Sequence, residues 1–328
     1  MGCKFETDYV AQAVSLSKAV GAPVKLTWSR EQDFGNDMYR PYSQMRVKAK
    51  LDAQGGISEL VYRNVSASIN VQRGQTSSNN SEGTGAVAGA LKLPYRIAAK
   101  RIEFVPLLPC DITLGYWRSD RESYNTFAVE SAVDELALLA GADPMAFRKS
   151  LVGGPSGDAR ALGVLSAVET LSNWPSTPPS GTARGVAFLH GFGSYIAMVA
   201  EVGRSATGKM AVRRMSCAID CGVPVNPGSI ESQIEGGIVH GISASLWGQK
   251  TFAKGKPQAQ SFSAYPMLKL AQMPDVAVSI VNSTQAPGGV GETDVPCVVP
   301  ALANAWARLS GTRQRSLPFH PGTRMCEP

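Results

Sequence analysis

The stretch IDCGVPVNPGSIESQIEGGIVHG, residues 219–241, indicates what kind of fold the chain adopts. Its pattern predicts a strand that ends at Asp220, a turn at the NPG triplet, and a helix over residues 229–246. Gly236 and Gly237 lie inside this helix, where each glycine costs about 1 kcal/mol relative to alanine. We therefore expect another part of the molecule, or a ligand, to pack closely against the early turns of the helix.

Strands and helices alternate irregularly on both sides of this stretch. Alternating polar and apolar residues around DAQGG predict a β-hairpin over residues 45–69, and PVKLTW, residues 23–28, reads as a further strand. Apolar residues at helical spacing in FETDYVAQAVSLSKAVG predict a helix that stops at Gly21. Residues 126–151 predict two helices, with Asp143 as the N-cap of the second. Further strands are predicted at GVAFLH, SYIAMVAEVG, KMAVRRMSCAID and VAVSIVNS. Without a regular βαβα order, the chain is predicted to be α+β, with mixed sheets and packed helices.

The composition changes near the middle of the chain. Proline, glycine and serine become frequent after Gly153, and they are concentrated in SNWPSTPPSGTAR. Such a segment is typical of a connector between two folded units. We therefore predict a first lobe over residues 1–171, a linker over 172–184 and a second lobe over 185–328.

Composition excludes several classes of function. The chain has 328 residues, 44% of them hydrophobic, and a net charge of +6 carried by scattered basic residues. Because no basic cluster or recognition motif is present, we do not expect nucleic-acid binding. No run of eighteen or more apolar residues and no secretory signal is visible, so we expect neither a membrane span nor an export signal in this sequence; the compartment stays open. The six cysteines and three histidines show no zinc-like spacing.

The most suggestive motif is APGGVGETDVP, residues 286–296. Gly288, Gly289 and Gly291 lack a Cβ atom, so the main chain there can come close to a flat or bulky ligand. Glu292 follows at once, and a carboxylate that loses hydration beside such a ligand can act as a general base near neutral pH. The alternative is a tight turn with a solvated Glu292.

Two further motifs could bind a ligand. Gln233 lies near the start of the predicted helix, where its amide could bind an anionic or heteroaromatic cofactor. A close helix–helix contact with a capping Gln233 is the alternative. In GYWRSDRES, Arg118 follows Trp117 and could orient a carboxylate or stack on a ring. A surface Arg118 packed over Trp117 would explain the same pattern.

Taken in this order, the motifs resemble one family. It is the molybdopterin-binding large subunit of the xanthine dehydrogenase/aldehyde oxidase family, in the branch of isoquinoline 1-oxidoreductase β subunits, nicotinate dehydrogenases and membrane-associated aldehyde dehydrogenases. The stretches that carry the resemblance include ETDYVAQAVSLSKAVGAPVKLTW, GYWRS, FAVESAVDELA, AGADPMAFR, AIDCGVPVNP, QIEGGIVHGISASL and PGGVGE. They extend over essentially the whole chain.

The resemblance implies a molybdenum hydroxylase. Members oxidise an aldehyde or an N-heteroaromatic ring carbon with water-derived oxygen, and the sequence does not choose between these substrates. Molybdenum is held by molybdopterin, either plain or as the cytosine dinucleotide, rather than by protein side chains. Electrons leave through [2Fe–2S] clusters on a partner subunit, and a cytochrome c subunit is a further candidate partner.

The resemblance also assigns roles to single residues. Glu292 matches the glutamate that takes a proton from a hydroxyl on molybdenum, and Gln233 matches the glutamine that bonds the pterin. Arg118 matches an arginine of the loop that flanks the metal. Cofactor contacts are further implied for three glycines, Gly236, Gly289 and Gly291.

The sequence departs from this family in two respects. Family chains are about twice as long, and their N-terminal half supplies a GQG-type pterin loop and a GGGFGRR-type loop; MGCKF stands where the second should end. We therefore expect the C-terminal portion of such a subunit, which needs an N-terminal complement. The alternative is a non-catalytic truncated remnant, or an assembly component that binds partner subunits without cofactor. Thr293 and Asp294 also follow Glu292 where small residues or proline are common in the family.

Overall fold

The computed structural model describes residues 7–74, 85–107, 112–154, 157–258 and 261–319. Its helices are α1 (Asp8–Val20), α2 (Arg30–Asn36), α3 (Ile69–Gln72), α4 (Glu122–Leu139), α5 (Pro144–Val152), α6 (Ala159–Leu171), α7 (Pro227–Leu246) and α8 (Val295–Ser310), with a short 3-10 helix at Leu270–Gln272. Its strands are β1 (Ser43–Leu51), β2 (Ile57–Ala67), β3 (Ile97–Leu107), β4 (Thr182–Gly191), β5 (Ser194–Arg204), β6 (Met210–Asp220), β7 (Phe252–Ala253), β8 (Lys256–Pro257) and β9 (Asp275–Ile280). The predicted α+β class is confirmed.

The first sheet contains the predicted hairpin. Strands β1 and β2 pair antiparallel, and β3 joins β2 in parallel, which gives the order β1-β2-β3. Leu60 and Tyr62 of β2 are fully buried and belong to one hydrophobic cluster with Val129 and Val133 of α4. This sheet therefore packs on α4, the helix that begins beside the candidate site.

The second sheet has the order β4-β5-β6-β9. Neighbouring strands are antiparallel except for β6 and β9, which run parallel. Helix α8 lies directly on β4. The two elements are so close at Gly185 that a Cβ atom there would overlap the backbone of Ala305. The positions of α8 and of the GGVGE segment that precedes it are thereby fixed against the sheet.

Helices α4 and α5 connect the first sheet to the second. Asp143 caps α5, as predicted, by accepting hydrogen bonds from the backbone N–H groups of Met145 and Ala146. Buried Glu130 of α4 pairs with Arg148 at 2.9 Å and accepts a hydrogen bond from the backbone N–H of Phe188 in β4. The core thus continues from one sheet to the other, and the division into two lobes with a linker over 172–184 stays a prediction.

The N-terminal region differs from the sequence-based expectation. Residues 23–28 form no strand, so the prediction for PVKLTW is wrong. The predicted helix is present as α1 and ends at Gly21 in the left-handed conformation, but none of its residues is buried. Tyr9, Val10 and Val14 are 39%, 47% and 62% exposed. No helix in the described part of the chain is long and apolar enough to cross a membrane.

Candidate functional site

The GGVGE segment is anchored to the turn between β4 and β5 and to the end of β6. The N–H of Gly288 donates to the carbonyl of Cys221, and the N–H of Gly289 donates to that of Phe192, both at 2.8 Å. Ser194 Oγ donates to the carbonyl of Gly289 at 2.7 Å. A Cβ on Gly288 would stand 2.5 Å from the Gly193 carbonyl oxygen, so the bare backbone at Gly288 is needed for this anchoring.

Gly291 and Gly236 have a different environment from Gly288. A Cβ on Gly291 would meet only Gln233 Oε1, and a Cβ on Gly236 only Arg118 Nη1, each at 4.0 Å. Gln233, Gly236 and Gly291 are exposed, and so is Gly289, whose own Cβ would come 3.1 Å from Phe192. The described residues therefore leave an open backbone surface here, with an exposed amide beside it.

Glu292 lies at the edge of this surface and is held by a backbone donor. Its Oε2 accepts a hydrogen bond from the N–H of Ser119 at 3.2 Å, and its carbonyl accepts one from Ser119 Oγ. Ser119 and Asp120 adopt positive φ angles of 73° and 46°, a conformation that non-glycine residues rarely adopt. Glu292 is half-buried and one of its oxygens is oriented by a backbone donor, so the choice between a general base and a solvated glutamate on a tight turn depends on its role, which stays a prediction.

Arg118 links three separate segments. Its Nε donates to the carbonyl of Gly291 at 2.9 Å, and its Nη2 donates to the carbonyl of Gln233 at 3.0 Å. It also pairs with Asp294 at 3.3 Å. Packing over Trp117, the alternative for Arg118, is not observed; Arg40 takes that position, 4.8 Å from the Trp117 ring.

The glycine pair of α7 makes room for Asp294. A Cβ on Gly237 would overlap the Asp294 carboxylate, and a Cβ on Gly241 would lie 2.7 Å from Cβ of Val298. The close helix contact considered for this motif is therefore real at Gly237 and Gly241. Gln233 does not cap the helix, because Asn226 does so by accepting a hydrogen bond from the N–H of Ser229.

The electrostatics of the site are dominated by one buried carboxyl group, Asp294, and two half-buried ones, Asp120 and Glu122. Burial raises the pKa of Asp294 to about 6, although Arg118 opposes the shift. Burial, with repulsion from Asp120 and Glu292, raises the pKa of Glu122 to about 7. The pKa of Asp120 is raised by burial too, against the attraction of Arg121. These groups favour their protonated forms more than an ordinary surface carboxyl does.

A histidine of α7, His240, also lies in this region. Its ring lies 4.6 Å from that of Trp117. Burial and the nearby Arg118 and Arg40 lower the pKa of His240 to about 4, so the imidazole is neutral at physiological pH. Among the described residues, no group of three or more His, Cys, Asp or Glu side chains could hold a metal ion.

A cleft of about 1050 Å³ lies next to this surface. Trp117 lines it, together with Arg40 and aromatic residues such as Tyr124, Phe262 and Tyr265. Glu292, Gln233 and Gly291 do not line it. We place the candidate site on the open glycine surface, because the oriented carboxylate and the arginine are there.

Five of the six residues predicted from the sequence are linked to one another. Arg118 contacts Gln233, Gly236 and Gly291, and Glu292 is joined to this group through Ser119 and Gly291. The sixth, Gly289, contacts Phe192 instead. Sequence reasoning missed Ser119 and Glu122. The signal for them was the polar run SDRES after Arg118, whose partners lie far away along the chain.

Comparison with known proteins identifies the family. Two sequence models of the molybdopterin cofactor-binding domain match residues 2–151 and 163–274. The chain belongs to the molybdopterin cofactor-binding family. Both family models together cover most of the chain, and the resemblance to xanthine oxidase-type large subunits is confirmed.

Named relatives of this chain are oxidoreductases. It is 32% identical to the isoquinoline 1-oxidoreductase subunit beta of Brevundimonas diminuta, over 98% of this chain and 41% of the relative. It is 28% identical to a membrane-bound aldehyde dehydrogenase [pyrroloquinoline-quinone] of Gluconacetobacter polyoxogenes, over 98% of this chain and 44% of the relative. The chain thus spans less than half the length of these relatives.

Solved structures show the same fold. The quinoline 2-oxidoreductase of Pseudomonas putida 86 superposes with a TM-score of 0.79 at 12% identity, over 93% of this chain and 64% of that chain. Molybdopterin, which the family implies, fits the site on one observation of this structure. The backbone at Gly236 and Gly291 is bare and exposed among the described residues, beside a guanidinium and an exposed amide.

Proposed function

We propose that this chain forms the base-bearing part of a molybdenum hydroxylase catalytic subunit, which oxidises an aldehyde or an N-heteroaromatic substrate. Glu292 is the general base. The observation that carries the proposal is the orientation of this carboxylate: Ser119 N–H fixes Oε2 at 3.2 Å, at the edge of an open glycine surface. Among the described residues, Oε1 of Glu292 accepts no hydrogen bond, so it can receive a proton.

The cofactor would be held by groups that surround Glu292. Gln233 would hydrogen-bond the pterin through its amide, and Gly236, Gly289 and Gly291 would let the pterin and the metal approach the backbone. Arg118 would place positive charge beside an anionic group, although most of its hydrogen-bonding capacity already joins α7 to the GGVGE segment. When bound, molybdenum on molybdopterin, plain or as the cytosine dinucleotide, would supply the two-electron redox chemistry and the oxygen atom.

Glu292 would act by accepting the proton that is lost as the oxygen nucleophile forms. Fixing one carboxylate oxygen by a backbone N–H keeps the other in a constant direction, which lowers the entropic cost of proton transfer. The neighbouring carboxyl groups of Asp120, Glu122 and Asp294 favour protonation. Their neutral forms would limit the negative charge that accumulates around an anionic cofactor.

We further propose that activity requires additional polypeptide. The relatives are more than twice as long as the matched region, and α1 presents an exposed apolar side at Tyr9, Val10 and Val14. The polypeptide that corresponds to the N-terminal half of the relatives would cover this side and complete the cofactor site. A [2Fe–2S] subunit would accept the electrons, with a cytochrome c subunit as a further acceptor.

The test is the Glu292→Gln variant in the complex that contains this chain. We expect turnover of aldehyde or N-heterocycle to fall by about 10²–10⁴-fold or more, the usual contribution of a general base, while molybdenum content stays unchanged. Glu169→Gln is the matched control, since Glu169 pairs with Lys149 on a different helix and should leave both readings unchanged. Retained turnover in Glu292→Gln would contradict the role of Glu292. Absence of molybdenum from the wild-type complex would instead favour a non-catalytic assembly component.

A further inference from the structure

Glu122 is a carboxyl group beside the candidate site that has no role of its own in the proton transfer proposed above. It is the first residue of α4, and its backbone N–H donates to the carbonyl of Ser119 at 3.1 Å. The same Ser119 holds Glu292 through its own N–H. Glu122 and Glu292 are therefore attached to one short turn, and the position of either depends on Ser119.

The side chain of Glu122 packs against bare backbone. A Cβ on Gly191, at the end of β4, would lie 2.8 Å from Glu122 Oε2, and a Cβ on Gly89 would lie 3.2 Å from the Glu122 Cα. Oε2 is buried and has no hydrogen-bond partner among the described residues. A buried carboxylate oxygen without a donor is expensive when it carries charge, and much cheaper when the group is protonated.

The charges around Glu122 act in the same direction. Asp120, from the turn before α4, and Glu292, from the GGVGE segment, both raise its pKa, in addition to the larger effect of burial. The N-terminus of α4 favours the charged form, but such a helix end contributes only about 0.3–1 kcal/mol. Burial and two negative neighbours outweigh that contribution, which accounts for a pKa of about 7.

We propose that Glu122 is a positioning residue for Glu292: it is the carboxyl group that keeps a proton near neutral pH, and it thereby leaves Glu292 as the proton acceptor. The inference rests on the proposed function, because it assumes that Glu292 is the base. When two neighbouring carboxyl groups differ in proton affinity, the group that binds its proton more tightly stays protonated and the other can act as the base. No electrons move, and the proton stays on Glu122.

A first test needs neither cofactor nor turnover. Infrared difference spectra of the protein between pH 5 and 8 should show a protonated carboxyl that titrates near pH 7 and is absent in Glu122→Gln. In Glu292→Gln, with Glu122 intact, the midpoint should fall, because one of the two negative neighbours is removed. A midpoint that Glu292→Gln does not move would overturn the coupling. Asp294 should give its own band with a midpoint near pH 6 in both proteins. A band with a midpoint near pH 7 that persists in Glu122→Gln would assign that proton to another carboxyl group and would equally overturn the proposal.

Stability against pH gives a second reading of the same proton. The pKa of Glu122 is about 7 in the folded chain against 4.5 without the fold, so its stabilising contribution is complete below about pH 4.5 and is lost as pH rises through 7. Between pH 5 and 8 this group alone should raise the unfolding equilibrium constant by about 70-fold. Glu122→Gln should lack that part of the pH dependence, whereas Glu169→Gln should keep it. Equal slopes for wild type and Glu122→Gln would refute the assignment.

Kinetics of the complex then connect the proton to the reaction. The pH profile of kcat/KM should show an inflection near neutral pH in the wild type, and it should be absent in Glu122→Gln. A merely structural role would lower the whole profile without removing the inflection, and that result would contradict the proposal. Retained turnover in Glu292→Gln would contradict the proposed function, because Glu292 would then not be the base. The infrared spectra would still show separately whether Glu122 holds the proton.

Discussion

Gly237→Ala tests how α7 and the GGVGE segment are joined. Alanine is the better helix former and should stabilise a helix interior by about 1 kcal/mol. In this structure, however, the new methyl would overlap the buried Asp294 carboxylate. Overpacking costs about 1–3 kcal/mol, and displacing Asp294 from Arg118 loses a charge-assisted interaction worth about 1.5–3 kcal/mol. We expect a net loss of about 2–4 kcal/mol in the free energy of unfolding.

Gly163→Ala is the matched control for this prediction. Gly163 lies inside α6, and a Cβ there would meet no atom within 4 Å. The control should therefore be stabilised by about 0.5–1 kcal/mol. Urea unfolding of both variants and the wild type, followed by circular dichroism, measures the difference. If Gly237→Ala is stabilised as much as Gly163→Ala, the close contact with Asp294 does not exist and the geometry of Arg118 is wrong.

Two further predictions concern the framework that supports the site. Asp143→Ala removes the cap of α5 and the acceptor for Trp174 Nε1, so it should cost about 1–2 kcal/mol in urea unfolding; an unchanged midpoint would show that the cap contributes nothing. Arg148→Ala leaves Glu130 buried without its partner and should cost about 3–5 kcal/mol. Arg315→Ala, at an exposed pair with Glu135, should cost less than about 1 kcal/mol, and equal losses at the two positions would contradict the difference in burial.

Local sequence patterns predicted much of the fold because their signals are short-range. The hairpin at DAQGG, the cap at Asp143 and the stop at Gly21 each depend on a few neighbouring residues, and all three are present. PVKLTW failed for the opposite reason. An extended apolar segment becomes a strand only if another strand offers hydrogen bonds, and the described structure offers none to residues 23–28.

The candidate site was predictable in part for the same reason. Glycine runs and the GGVGE motif marked the segments, but not what their bare backbones face. Gly288 and Gly237 serve internal packing, whereas an added Cβ on Gly236 or Gly291 would come no closer than 4.0 Å to any described residue outside its own segment. Nothing in the spacing separates these two uses. Glu122 was missed because its pKa is raised mainly by burial, and the Gly191 backbone that packs on its carboxylate is distant along the chain.

Asp294, the second residue after GGVGE, stands where small residues or proline are common in the family, and the site accommodates its carboxylate. Asp294 would be a costly buried charge on its own, but Arg118 lies 3.3 Å away and Gly237 leaves the space that the carboxylate fills. Arg118 in turn donates to the carbonyls of Gly291 and Gln233, which joins the turn before α4 to α7 and the GGVGE segment. Asp294, Arg118 and Gly237 therefore form one structural unit. A change at any of the three should be felt at Glu292, because the turn that carries Arg118 also carries Ser119, the donor that orients this carboxylate.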